Sequence, residues 1–177
     1  MIVLGIDPGL ASTGYGVVAT RSGRLVALDG GVIETRASTA TELRLTEIAV
    51  RARELIAEHR PDAIAFEDLY FGQNIVSAFA VGHARGVLML LAGEHRLPCF
   101  SYTPQQVKAA VCGRGAAGKD QVARMVAQLL ALPEPPHPDH AADALAVAIC
   151  HSNSAPLRSA LGGTSARSSA PSLGGVR

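Results

Sequence analysis

Met1-Ile-Val-Leu-Gly-Ile-Asp7-Pro-Gly-Leu-Ala-Ser-Thr-Gly-Tyr-Gly16 opens the chain with an apolar run that stops on a carboxylate followed by turn residues. Such a run reads as a strand buried on both faces, which places Asp7 where the strand leaves the core. Pro8 and Gly9 prevent the strand from continuing. The small residues through Gly16 allow close backbone approach, so a ligand can reach the carboxylate. Taken alone, Asp-Pro-Gly is also ordinary turn chemistry. Two more acidic points argue for something beyond a turn: a second apolar run ending Ala63-Ile-Ala-Phe-Glu67, and the cluster His137-Pro-Asp139-His140-Ala-Ala-Asp143.

The totals bound the answer. A chain of 177 residues, 48% hydrophobic and 18% charged, suits one domain with a buried core. Sixteen basic against 15 acidic residues leave a net charge of +1, so any nucleic-acid contact must come from local clustering. Cys99, Cys112 and Cys150 are widely spaced and odd in number, which argues against a disulfide framework or a zinc site and for a reducing, cytoplasmic setting. The longest apolar stretch, Val87 to Ala92, falls far short of the roughly 20 residues needed to span a bilayer. Neither a membrane segment nor a targeting signal is expected. Lys108 and Lys119 are the only lysines among the 16 basic residues, which marks two places where a compact ammonium is retained in an Arg-rich chain.

Taken in order, Gly14 to Thr20 and Leu25 to Glu34 read as two strands around an Arg21-Ser-Gly-Arg24 turn, so the chain opens with an antiparallel meander. Thr39-Ala-Thr-Glu42 has capping-box spacing, and apolar residues from Leu45 to Ile56 follow at helical period. The helix ends near Pro61, and Asp62 to Glu67 is expected to lie parallel to the first strand. Parallel neighbours end on the same edge, where ligands of open α/β sheets bind; Asp7 and Glu67 should converge there. Tyr70-Phe71-Gly72 precedes a helix from about Asn74 to His95, whose Ala78, Gly82 and Gly86 permit close packing, as at a subunit interface. Leu97 to Tyr102 reads as a fifth strand, and Thr103-Pro-Gln-Gln106 as the start of a helix to about Cys112.

Gly113-Arg-Gly-Ala-Ala-Gly118-Lys119-Asp120 approaches the phosphate-binding P-loop pattern. Asp120 stands where Ser or Thr would hold magnesium, and the loop follows a helix instead of a strand, so that reading is rejected. With Lys108, Arg114, Lys119 and Arg124, the loop is better read as presenting amides and cations to a phosphate chain; a plain helix connector is the alternative. A helix from Lys119 to Leu130, a proline-rich linker and a last helix from about Asp139 to His151 complete a domain over residues 1–154. Spacing of three places His140 and Asp143 on one helix face. Residues 155–177, rich in Ser, Gly, Ala and Pro, are expected to be a disordered tail.

Carboxylates from distant parts of the chain meeting at a sheet edge suit magnesium or manganese, and a pair of ions about 4 Å apart drives in-line phosphoryl transfer. A glycosidase also pairs carboxylates but has no need of the basic loop. Gly5-Ile-Asp7-Pro-Gly9 with Thr13-Gly-Tyr-Gly16, Phe66-Glu67 before an aromatic pair, Gly82-His-Ala-Arg85-Gly86, Gln105-Gln-Val-Lys108 and Ala141-Ala-Asp143-Ala-Leu-Ala146 form an ordered set from Ile2 to about His151. As a set they resemble the RuvC family of bacterial Holliday junction resolvases.

The resemblance implies an α/β, RNase H-like fold with a five-stranded mixed sheet, an antiparallel meander then parallel strands, flanked by helices. It also implies a homodimer that makes paired, metal-dependent nicks across four-way DNA junctions in recombination and repair. Mg2+ or Mn2+, two ions per active site, and the branch-migration partners RuvA and RuvB go with it. Asp7, Glu67 and Asp143 match the family's catalytic carboxylates, Lys108 and Lys119 its basic residues near the cleaved strand, and Tyr70 its junction-contacting aromatic. Phe71, Arg85 and Arg114 are further candidate DNA contacts. Where many members carry a fourth carboxylate this chain has His140, as some relatives do; His140 is read as the fourth catalytic and metal-holding group, with Asp139 as the alternative. The related fold of sugar kinases and actin-like ATPases shares the Asp-Pro-Gly start but needs a second, duplicated domain. A nucleic-acid-binding module without catalysis is the other competitor.

Overall fold

The opening run forms β1 (Ile2–Asp7), and its side chains alternate between two cores, Val3 on one face of a sheet and Leu4 and Ile6 on the other. This alternation, in a computed structural model that describes residues 1–68 and 75–160, organises everything around it. β2 (Ser12–Arg21) pairs antiparallel with β1, and β3 (Arg24–Glu34) antiparallel with β2. Ser22 and Gly23 between them both have positive φ, 50° and 76°, the hairpin geometry that matches strand twist. α1 (Thr41–His59) returns the chain so that β4 (Ala63–Glu67) adds parallel to β1, Ile6 opposite Phe66. α2 (Ile75–Glu94) does the same for β5 (Cys99–Tyr102), parallel to β4. The sheet order β3-β2-β1-β4-β5 is the meander followed by parallel strands expected of the RNase H-like class.

Two helical layers cover the sheet. Ile48, Leu55 and Ile56 of α1 and Ala84, Leu88 and Leu91 of α2 pack with Leu4, Ile6, Ile64 and Phe66. On the other face α3 (Pro104–Cys112), α4 (Lys119–Leu130) and α5 (Asp139–Ala160) bury Val107, Val111, Val122, Val126 and the run Leu145 to Cys150 against Val3, Val18 and Ala65. α3 starts as its sequence predicts: Thr103 Oγ1 accepts from the Gln106 N–H, the Gln106 side chain reciprocates to the Thr103 N–H, and Pro104 leads the helix.

α5 sits directly on strand backbone. A Cβ built on Gly5 or Gly14 would collide with the backbone of Ala144 or His140, and one on Gly16 would lie 2.7 Å from Leu145. The small residues of β1 and β2 read, from sequence, as access for a ligand; the space is taken by this helix. Two other expectations change. The α1 cap is Ala40, with no side-chain bond, because the Thr39 N–H closes a turn onto the Arg36 carbonyl one residue earlier. α5, expected to end near His151, continues to Ala160. Residues 161–177, the rest of the expected tail, lie outside the described residues.

Gly14→Ala is expected to lower stability by about 1–3 kcal/mol in urea unfolding, as overpacking does. Gly93→Ala on α2, where an added Cβ meets nothing within 4 Å, should be neutral or stabilising by up to about 1 kcal/mol. Equal effects at the two positions would show that α5 does not depend on the strand glycines.

Candidate active site

Asp7 ends β1 and Glu67 ends β4, and the parallel register that sets Ile6 opposite Phe66 brings both to one edge. The loop after Asp7 is fixed from below. Thr13, fully buried, donates to the Gly9 carbonyl at 2.6 Å, and Thr35 donates to the Leu10 carbonyl at 2.6 Å while accepting from Arg44 Nε at 2.8 Å. α5 arrives over this edge with its first turns and delivers His140 and Asp143.

Asp7, His140 and Asp143 each offer a ligand atom, and those atoms lie within 4.8 Å of one another. His140 Nδ1 is 2.7 Å from Asp7 Oδ2. Lys119, the first residue of α4, places Nζ 3.1 Å from Asp139 and 3.4 Å from Asp143. Asp139 thus pairs with Lys119, and His140 faces Asp7. Glu67, Lys108, Lys119 and Asp143 line one cleft of about 230 Å³. A second, of about 210 Å³, lies on the other side of Lys119 and Asp143, where Arg124, His137 and Asp139 line it.

Bringing three carboxylates together leaves an electrostatic signature. Burial, then the charges of Asp7 and Asp143, push the Glu67 carboxyl up to about 7. Burial also raises Asp7, opposed by its hydrogen bond to His140. For Lys119, burial works against the ammonium, yet the bond to Asp139 and the charge of Asp143 outweigh it and raise its pKa. An anionic pocket with convergent oxygen and imidazole donors fits a hard divalent cation, whose charge relieves the repulsion.

The remaining candidates fall differently. Arg114 is exposed and donates to Gln121 Oε1 at 2.8 Å. Arg85 is turned inward: it donates to the Glu67 carbonyl, Ser101 Oγ and Asp68. Tyr70 and Phe71 lie outside the described residues.

The family model described as crossover junction endodeoxyribonuclease RuvC matches residues 3–151. The chain belongs to this family. The crossover junction endodeoxyribonuclease RuvC of Alkaliphilus metalliredigens is 49% identical over 159 residues, 90% of this chain and 97% of the relative. The structure of Thermus thermophilus RuvC superposes with a TM-score of 0.83 at 39% identity, over 89% of this chain and 96% of that one. Its complex with a Holliday junction substrate gives 0.82 at 37%, over the same shares.

Sequence reading did not anticipate the buried supports of this RuvC-family site. Tyr102, at the end of β5, hydrogen-bonds His151 Nδ1 at 2.7 Å within the core and ties α5 to the sheet. The two residues are 49 positions apart, and no local pattern announces such a pair. The Thr13 clasp did carry a signal, a β-branched hydroxyl amid glycines after a strand-end Asp.

In the metal-free protein, a Glu67 raised to about 7 carries a proton that the unfolded chain gives up near 4.5. Its contribution to stability is therefore intact below pH 4.5 and lost as pH rises through 7. Glu67→Gln is expected to raise the melting temperature in EDTA at pH 8 and to gain progressively less toward pH 5. A gain independent of pH would show that Glu67 is not held protonated.

Proposed function

We propose that this chain is an endonuclease that resolves four-way DNA junctions by metal-dependent phosphodiester hydrolysis, in recombination and repair. The observation that carries the reading is the convergence of Asp7, His140 and Asp143 at the edge where Glu67 also ends, in a chain of the RuvC family. Asp7, Glu67, His140 and Asp143 would hold Mg2+ or Mn2+, two ions per site, which would supply the charge to activate water and stabilise the leaving oxygen. Lys108 and Lys119 flank the carboxylates and engage the scissile phosphate chain. Arg114, exposed on the neighbouring loop, adds a phosphate contact, and Tyr70 with Phe71 stacks at the junction centre.

Cutting two strands of like polarity needs two sites related by a two-fold axis. A homodimer built on α2 supplies them. Phe79, Met89 and Leu90 project from that helix 64%, 47% and 62% exposed, and Gly82 and Gly86 leave open space between, so the helix keeps an apolar face that a second copy would cover. The family also implies RuvA and RuvB as partners and a cytoplasmic setting; no helix among the described residues is long and apolar enough to cross a membrane.

Asp7→Asn is expected to bind a synthetic four-way junction as two copies in sedimentation, with affinity within about threefold of the parent, because affinity rests on phosphate contacts. It should leave both strands uncut in magnesium and manganese. Parent-rate cleavage, or one copy making both cuts, contradicts the reading.

A neutral imidazole in place of a carboxylate softens the donor set and favours manganese over magnesium. His140→Asp should accordingly raise the ratio of magnesium to manganese cleavage rates, while Asp139→Asn, altering a residue paired with Lys119, cuts nearly normally. The opposite pattern assigns the ligand to Asp139.

A further inference from the structure

We infer that Arg85 is a positioning residue for Glu67, clamping the ends of β4 and β5 to α2, and not a DNA contact. The inference rests on the reading of Glu67 as a metal-holding carboxylate. Arg85 Nη1 donates to the Glu67 carbonyl oxygen at 2.8 Å, and Nη2 donates to Ser101 Oγ at 2.6 Å and to Asp68 Oδ1 at 3.3 Å. The guanidinium carbon lies 5.1 Å from the centroid of the Phe66 ring, and the side chain is only 16% exposed. One planar group thus touches Phe66, Glu67 and Asp68 in succession on β4 and its continuation, and Ser101 on β5.

The site needs such a clamp. Glu67 is the last residue of its strand, and β5 beside it spans only Cys99–Tyr102. The ladder continues one step further through the Asp68 N–H to the Tyr102 carbonyl at 2.8 Å. Strand ends fray, and Glu67 has to keep its place on the edge it shares with Asp7. Holding the main chain of Glu67 leaves its side chain free to face the site, which a bond to the carboxylate itself would prevent. The fork geometry is essential. A lysine ammonium is a single point and cannot reach the Glu67 carbonyl and Ser101 with the same planar spread.

A phosphate contact predicts something different, because it contributes to the salt-dependent part of binding. The test measures junction affinity at several salt concentrations, single-turnover cleavage, and manganese affinity by calorimetry. It compares Arg85→Lys, Arg85→Ala, Ser101→Ala and Glu67→Gln with the parent. Arg85→Lys is expected to keep junction affinity within twofold and an unchanged salt slope, while cleavage falls at least tenfold and manganese binds more weakly. Ser101→Ala, which removes only the β5 anchor, should show a smaller loss in the same direction. Millimolar methylguanidinium should restore part of the cleavage of Arg85→Ala and none of that of Glu67→Gln. Junction affinity that falls with a salt slope reduced by about one would make Arg85 a phosphate contact, and parent-rate cleavage by Arg85→Lys beside an inactive Glu67→Gln would also overturn the inference. Parent-rate cleavage by Glu67→Gln would instead remove the reading of the site itself.

Discussion

The seating of α5 on bare strand backbone is the contact on which this molecule depends. Gly5, Gly14 and Gly16 leave β1 and β2 without side chains where Ala144, His140 and Leu145 come down. α5 answers with small residues, so Ala141, Ala142, Ala144, Ala146 and Ala148 are all buried. A helix held at ordinary side-chain distance from the sheet would carry His140 and Asp143 ångströms away from Asp7, and the donor atoms now within 4.8 Å would not meet. Tyr102 and His151 then pin the same helix further along. Packing thus sets the geometry before any charge is considered.

Charge then works against that packing. Asp7, Glu67 and Asp143 share one edge, and the rise of Glu67 to about 7 comes first from burial of its carboxyl and then from the charges of Asp7 and Asp143. Two groups offset the negative charge from exposed positions. Lys119 is 56% exposed and bridges Asp139 and Asp143, and His140 is 48% exposed against Asp7. Ion pairs at an exposed rim contribute little to stability, whereas Arg85, on the buried side, bonds the Glu67 carbonyl together with Ser101 Oγ and Asp68 Oδ1.

α2 joins these two levels. Its inner face carries Ala84, Leu88 and Leu91 into the core and Arg85 to the end of β4. Its outer face carries Phe79, Met89 and Leu90 into solvent. One helix therefore carries both the arginine that bonds the end of the Glu67 strand and an exposed apolar face.

The sequence by itself determined the topology and most of the chemistry. An apolar run ending in Asp7, a second ending in Glu67 and a helical period between them require parallel strands with a shared edge, because a right-handed crossover allows little else. The spacing of His140 and Asp143 settles which helix face they share. Local sequence also wrote the Thr103 cap of α3, but it misled at Thr39, where a turn claimed the backbone first. Only the tertiary structure decided what occupies the space beside the glycines, that Lys119 takes Asp139 while His140 takes Asp7, and that Arg85 points inward to Glu67 and Ser101. Those outcomes join residues far apart in the chain, and periodicity carries no information about which distant groups will compete for one point in space.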